Sequence, residues 1–353
     1  MRVAILSPVW FPVPPDGYGG IELIVSLLAD GLVAAGHEVT LFASGDSTTT
    51  ADLDAFFDEA PSEWIGKTFW ELQHAMNCFA RHDDFDLIHD HTGLLGLALG
   101  SLLPTPLVHT VHGPLTGEPG ALYERIERLS SRPSLVSLSM AQRRPLPGLP
   151  WLANVPNAID LAGYPFEPHD GDYLLFLGRM SPDKGAHRAV RLAEIAGMPL
   201  KLAGKNAEPG EQEYFDEFVR PHLGDGIEFL GEVDNGEKVE LLRKARATVF
   251  PIDWEEPFGL VMIESMACGT PVIASRRGSV PEVIEDGLNG IIVDDWDAID
   301  DALERAEQLD ARVMRRSVEE RFSPERMVAD YVVAYEAALG AHAGVGAGTE
   351  ARS

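Results

Sequence analysis

Residues 247–274 read ATVFPIDWEEPFGLVMIESMACGTPVIA. The run Ala247–Phe250 is short and apolar, and Pro271–Ala274 is another of the same kind. Between them Leu260–Cys268 carries apolar residues at three- and four-residue spacing, the period of a helix with one face buried. A strand, a helix and a second wholly apolar strand make a crossover unit of a parallel sheet covered on both faces. The same alternation extends in both directions. Strands are predicted at Arg2–Ser7, Glu38–Ala43, Asp86–His89, Leu107–Val111 and Ser134–Ser139. A second series is predicted at Tyr173–Leu177, Leu200–Ala203, Ile227–Leu230, Ala247–Phe250, Pro271–Ala274 and Gly290–Val293. Helical patterns such as Ile21–Ala35 and Ala186–Ala196 separate them.

The two series are divided by Arg143–Pro156, with four prolines and little periodicity, and by the polar stretch Gly163–Asp172. At 353 residues the chain is long enough for two cores. The expectation is an α/β protein of two doubly wound, Rossmann-like domains facing across a cleft. The first covers residues 1–158 and the second 159–322. A last helix opens with Ser323 as N-cap and Pro324 in its first turn, and is expected to span 323–340. Residues 341–353 are rich in Gly and Ala without a hydrophobic period, and are expected to be a disordered tail.

Lys and Arg total 28 against 56 Asp and Glu, a net charge of −28. Such a field repels nucleic-acid backbones and anionic lipid surfaces, so any anionic ligand must be gripped locally. Arg125, Arg128, Arg132, Arg143 and Arg144 form one local basic region. Two cysteines, Cys78 and Cys268, cannot build a disulfide framework or a cysteine-ligated zinc site, and each fits a helical apolar pattern. The apolar amino terminus is broken by Pro8, Pro12 and Pro14 and reads as a strand entering a loop. The longest nearly apolar stretch, Leu94–Leu103, is about half of the ~20 residues that a membrane span needs. The expectation is a cytoplasmic protein with no stable membrane insertion and no nucleic-acid partner.

In open parallel sheets ligands bind beyond the carboxyl ends of the strands. After the first strand comes a glycine-rich loop with Gly17, Gly19 and Gly20, and Glu22 follows in the first helical turn. The dinucleotide fingerprint fails there, because its third glycine would fall on Glu22. Gly178–Gly185 follows the first strand of the second series and places Arg179 and Lys184 around a turn. Two cations at a strand end suit a diphosphate. In the stretch quoted first, Glu256 lies in a loop and Glu264 about one turn into the helix. The amides of Phe258, Gly259 and Leu260 stand unpaired at the helix start. Carboxylates beside a phosphate make sense when they accept hydrogen bonds from sugar hydroxyls. His112 ends one strand of the first series, and His89 and His91 end its neighbour. No ligand spacing requires His89, His91 and His112 to hold a metal, and no metal is expected.

These residues resemble the family 4 glycosyltransferases, retaining enzymes of the GT-B fold, over nearly the whole chain. The resemblance rests on Gly19-Gly20-x-Glu22, Thr110-x-His112-Gly113, Asn157-Ala158-Ile159-Asp160, Gly178-Arg179 with Lys184-Gly185, and Glu256-x7-Glu264. The usual linker reads Asn-Gly-Val-Asp, so Ala158 and Ile159 depart from it. The resemblance implies that Arg179 and Lys184 bind the diphosphate of a nucleotide sugar. It implies that Glu264 meets the ribose and that Glu256, beside the amides of Phe258–Leu260, meets the donor sugar. Gly19 and Gly20 would approach the diphosphate from the first domain, and His112 the donor sugar near the reacting carbon. His112, Glu256, Arg179 and Lys184 are thus the candidate catalytic residues. The implied activity is a retaining hexosyltransferase without an obligatory metal or cofactor, with a UDP-sugar favoured by family frequency alone. The acceptor would be a small molecule, a saccharide or a lipid-linked precursor. The terminal helix would pack back on the first domain. A nucleotide-sugar epimerase or hydrolase, or a non-catalytic sugar-nucleotide-binding protein, are the alternatives.

Overall fold

The computed structural model describes residues 1–129, 133–167, 171–296 and 301–350. Arg132, the side chain of Arg128 and residues 351–353 of the expected tail lie outside the described residues. The chain divides into one compact unit of Met1–Ala158 with Pro324–Ser353, and a second of Ile159–Ser323.

The first unit holds seven strands: β1 (Arg2–Leu6), β2 (Glu38–Phe42), β3 (Asp52–Asp54), β4 (Leu87–Asp90), β5 (Leu107–Thr110), β6 (Ser134–Ser137) and β7 (Trp151–Asn154). They form one parallel sheet in the order β3-β2-β1-β4-β5-β6-β7. β1, β4 and β5 are almost wholly buried, which is why they read as continuous apolar runs. The order reverses direction between β1 and β4, the switch point where such sheets open a crevice at their carboxyl ends.

The helix Pro324–Glu350 belongs to this unit. Its Tyr331 and Tyr335 are among the largest fully buried side chains. Arg326 donates from Nη2 to the carbonyls of Pro156 and Asn157 at 2.7 and 3.1 Å. Val328 packs so closely on the helix Gly20–Ala34 that a Cβ on Gly31 would lie 2.5 Å from its methyl carbon.

The second unit holds β8 (Leu174–Leu177), β9 (Leu200–Ala203), β10 (Ile227–Gly231), β11 (Ala247–Phe250), β12 (Val272–Ser275) and β13 (Ile291–Val293). They form a parallel sheet in the order β10-β9-β8-β11-β12-β13, with its switch point between β8 and β11. One core joins Leu174, Phe176, Leu202 and Val249 of the strands to Ala189, Val190 and Ala193 of the helix Ala186–Ala196.

Three elements differ from expectation. β7 lies inside the proline-containing stretch read as a break. Its four residues, all half-buried at the sheet edge between Pro150 and Pro156, show no alternation for a periodicity to detect. β3 is three residues long, polar and mostly exposed at the opposite edge. The last helix runs to Glu350 rather than ending at Gly340.

Gly185 and Gly197 flank the helix Ala186–Ala196, both in the left-handed region at φ 74° and 62°. A Cβ on Gly185 would also lie 2.3 Å from the carbonyl oxygen of Pro251, whereas none of the surroundings crowds Gly197. Gly197→Ala should therefore cost only the left-handed backbone penalty, about 1–2 kcal/mol. Gly185→Ala should cost a further ~1–3 kcal/mol for the forced shift of the loop after β11. Urea unfolding of the two variants side by side measures the difference.

Candidate functional site

In the second unit the loops after β8 and β11, neighbours across the switch point, carry most of the expected site residues. Pro182 and Asp183 turn the first loop, and the N–H of Asp253 donates to the carbonyl of Asp183 at 2.8 Å, tying the two loops together. Lys184 places its Nζ 2.5 Å from Oε2 of Glu256 and 4.5 Å from the centre of the Trp254 ring. Both partners of the ion pair are mostly buried, at 18% and 12% side-chain exposure. The aromatic face and the carboxylate together hold the ammonium away from bulk water.

Arg179 is oriented differently. Its Nη2 donates to Asp183 Oδ2 at 3.2 Å, and Nη1 lies 3.7 Å from Oε1 of the buried Glu211. The guanidinium remains about one-third exposed. Glu211 is itself fixed, since its Oε2 accepts the amide hydrogens of Ala207 and Glu208 at the start of the helix Pro209–Phe218.

Glu264, almost fully buried on the helix Leu260–Cys268, accepts on Oε1 from Tyr164 Oη at 2.8 Å and Lys238 Nζ at 2.7 Å. Its Oε2 takes no hydrogen bond from the described residues. Burial and the adjacent Glu264 charge push the Tyr164 phenol well up, so it stays a donor. At the helix start the amides of Phe258, Gly259 and Leu260 donate to no protein acceptor among the described residues. These amides, with the positive end of the helix, suit an anion or an electron-rich oxygen.

Lys238, Tyr164, Glu211 and Gly278 escape a reading of the sequence alone. Gly278 sits at φ 50°, and a Cβ there would lie 2.4 Å from both N and O of Glu256. Its N–H donates to Glu255 Oε2 at 3.0 Å, and the next N–H, of Ser279, donates to the carbonyl of Glu256. The turn after β12 thus braces the backbone of Glu256. The available signal was Gly278 just beyond a strand end; Lys238 and Tyr164 carry none, because only the fold brings them to Glu264. A cavity of about 550 Å³ on the flank of β11 towards β13 includes none of these residues. Two of the arginines lining it, Arg188 and Arg277, pair with Asp253, and a third, Arg276, with Asp294.

In the first unit Gly19 caps the helix Gly20–Ala34, and the amides of Gly19 and Gly20 have no protein acceptor among the described residues. His112 follows β5. Its Nε2 lies 2.9 Å from His91 Nδ1, and His91 Nε2 lies 3.2 Å from His89 Nδ1. Burial and the nearby His109 push His112 down to about 3. Burial also holds His89 and His91 well below the usual imidazole range, so all three are neutral at neutral pH. His109 instead bridges Asp90 and Tyr123 in the interior. The two cysteines are free and buried, and burial pushes the Cys268 thiol up to about 12.

The family model described as Glycosyltransferase Family 4 matches residues 18–160, and that described as Glycosyl transferases group 1 matches residues 165–321. A phosphatidyl-myo-inositol mannosyltransferase of Mycolicibacterium smegmatis is 30% identical over 336 residues, covering 86% of this chain and 84% of that one. The chain belongs to the family 4 glycosyltransferases. A glycogen synthase of Mycobacterium tuberculosis is 29% identical over 345 residues, with 82% of each chain covered. Among solved structures, HepE of Anabaena in complex with UDP-glucose shares the fold at a TM-score of 0.70 and 21% identity, over 94% of this chain and 99% of that one. The two parallel-sheet units are those of a GT-B glycosyltransferase. No helix among the described residues of this glycosyltransferase is long and apolar enough to cross a membrane.

One carboxyl in the first turn of the helix Gly20–Ala34 has a measurable signature. Glu22 is only 4% exposed, and burial raises its pKa from the ordinary range to about 7, partly offset by its own N–H. The folded form therefore holds a proton that the unfolded chain releases near pH 4.5. Stability should fall as pH rises through the window from about 4.5 to 7, and the cost is fully present above it. Glu22→Gln removes that cost. The variant should match the wild type near pH 4 and exceed it by on the order of 2–3 kcal/mol at pH 8, measured by denaturant unfolding at both pH values.

Proposed function

We propose that this family 4 glycosyltransferase moves a hexose from a nucleotide-diphosphate sugar to an acceptor hydroxyl with retention of configuration and without an obligatory metal. The observation that carries the reading is the charge arrangement at the switch point between β8 and β11. There two cations and three unpaired amides stand beside two carboxylates that each keep an oxygen for a ligand.

The diphosphate is assigned to Arg179, Lys184 and the amides of Phe258–Leu260. Lys184 must then share its ammonium between Glu256 and a phosphate oxygen, and Arg179 must turn from Asp183. Glu264 is assigned to the ribose, for which Oε2 is available while Tyr164 and Lys238 hold Oε1. Glu256 is assigned to hydroxyls of the donor sugar through the oxygen that Lys184 does not occupy. Gly19 and Gly20 offer amides to an anion, and His112 offers a neutral imidazole to a substrate hydroxyl. HepE, of the same fold, binds UDP-glucose, which favours a uridine nucleotide sugar.

In the transfer the bond from the anomeric carbon to the diphosphate oxygen breaks, and a bond to the acceptor oxygen forms on the same face. The acceptor hydroxyl's proton passes to the leaving phosphate. Negative charge grows on the diphosphate as the bond breaks, so cations already in place stabilise the transition state more than the ground state. The relatives named above are a glycogen synthase and a phosphatidyl-myo-inositol mannosyltransferase, so the acceptor is left at its class, a hydroxyl of a saccharide, a small molecule or a lipid-linked precursor.

Arg179→Ala should lower kcat/KM about 10²–10³-fold with a functional donor and acceptor, comparable to loss of an oxyanion donor. Product analysis accompanies the rate measurement. A glycosylated acceptor is expected; near-wild-type turnover contradicts the assignment of Arg179. Free sugar as the main product points instead to a hydrolase, and sugar nucleotides interconverted without acceptor point to an epimerase.

A further inference from the structure

The loops after β1, β2 and β3 stand side by side at the carboxyl end of the first sheet, because these three strands are parallel neighbours. The loop after β3 and the first turn of the helix Thr68–Phe79 carry an aromatic cluster that the residues assigned above leave unused. Trp64 lies on Trp70 with ring centres 5.6 Å apart and planes at 15°. Trp70 lies 5.0 Å from Phe57, and Phe57 lies 4.9 Å from Phe56. This cluster reaches the surface: Phe56, Trp64 and Phe69 are 49%, 42% and 67% exposed, and Ile65 beside them is exposed as well. An exposed apolar patch with a polar rim marks a contact surface.

Backbone contacts hold this surface in shape. The N–H of Gly45, in the loop after β2, donates to the carbonyl of Phe57 at 2.8 Å. Ser62 Oγ donates to the carbonyl of Trp10 at 2.5 Å, which ties the cluster to the loop after β1. That loop continues through the exposed Tyr18 to Gly19 and Gly20. Trp70 covers one face of Trp64, so the opposite face is the one in solvent. At the indole edge Trp64 Nε1 donates to Glu63 Oε1 at 2.9 Å, and Glu63 Oε2 takes no hydrogen bond from the described residues. A flat face of negative potential with a carboxylate at its edge fits a pyranose ring. The ring's C–H groups carry slight positive charge and lie on the indole, while a hydroxyl donates to the carboxylate. Asp58, Glu59 and Glu63 surround the patch, and Lys67 is the single cation within residues 51–71. That balance repels an anionic ligand, and entry into a bilayer would bury carboxylates that no cation neutralises.

We propose that the outer face of Trp64, with Glu63 at its edge, is a stacking subsite for a neutral saccharide, which places the acceptor among the neutral saccharides. The indole is already packed on a second ring and braced by its loop, so little freedom is lost when a sugar settles on it. Phe69 and Ile65 extend the apolar surface beside it. That a saccharide binds at Trp64 follows from the patch itself; that the bound saccharide receives a sugar rests on the function proposed above.

The test is native affinity electrophoresis of the full chain in gels that contain a soluble α-glucan, β-glucan, α-mannan or galactan. At least one of these should retard the wild type. Trp64→Ala should weaken that binding about tenfold, while Trp64→Phe, which keeps a flat face, should retain most of it. A melting scan confirms that both variants are folded. Retardation by none of the four, or retardation unchanged in folded Trp64→Ala, overturns the proposal. Sedimentation velocity and flotation with phosphatidylcholine vesicles read the rival occupants. The wild type should neither self-associate through this face nor float. Self-association or flotation that Trp64→Ala abolishes gives the face to a second copy or to a bilayer, and overturns the proposal. With an oligosaccharide of the polymer that binds, Trp64→Ala should raise the acceptor KM about tenfold and leave the Kd for the nucleoside diphosphate unchanged. If the polymer binds through Trp64 and no sugar transfer is found with any donor, the subsite stands and the glycosyl-transfer reading falls. If sugar is transferred and Trp64→Ala leaves the acceptor KM unchanged, the acceptor role of the subsite falls and the glycosyl-transfer reading stands.

Discussion

The ion pair of Lys184 with Glu256 joins the loops that follow β8 and β11, the two strands between which the second sheet reverses its order. A parallel sheet leaves its carboxyl ends open at that point, and something must bridge the gap. Here the bridge is mostly buried, and the indole of Trp254 covers the ammonium. Removing one partner would strand the other's charge, at a cost on the order of 3–5 kcal/mol. The surrounding glycines follow from the same closeness. Gly185 lets the Lys184 loop sit against the carbonyl of Pro251, and Gly278 lets the turn after β12 sit against the backbone of Glu256.

Local pairing also reconciles an acidic protein with an anionic ligand. The chain carries −28 net, yet the cations around the switch point are each turned onto a specific carboxylate: Lys184 onto Glu256, Arg179 onto Asp183, Lys238 onto Glu264. In the proposed function Lys184 is shared between Glu256 and a phosphate oxygen and Arg179 turns from Asp183, while Glu256 and Glu264 offer their remaining oxygens to hydroxyls, which are neutral and tolerate a carboxylate nearby. Long-range repulsion excludes polyanions, while contact at a few ångströms admits a small one. The first unit works by burial instead, which keeps His89, His91 and His112 neutral.

The sheets were legible in the sequence because β1, β4, β5, β8, β11 and β12 are buried on both faces and read as apolar runs. The edge strands β3 and β7 were not, since a short, half-exposed strand has no period to detect. Among site residues, Arg179, Lys184, Glu256 and Glu264 were visible because each sits at a fixed offset from a strand end or a helix start. Lys238 and Tyr164 were invisible. They reach Glu264 across 26 and 100 residues of sequence, and no local pattern encodes such a meeting. The contact of His89 with Tyr335 was hidden for the same reason, because 246 residues separate them. The last ten residues of the terminal helix were missed because they carry no apolar period.

The central claim is that the loops after β8 and β11 hold a diphosphate. Calorimetric titration of the intact protein with nucleoside diphosphates and the matching monophosphates tests it directly. For the base that binds, the account predicts the diphosphate to be at least about tenfold tighter, since the second phosphate adds charge-assisted bonds to Arg179, Lys184 or the helix-start amides. Equal affinity for the mono- and diphosphate, or no binding of a diphosphate of any base, would contradict it.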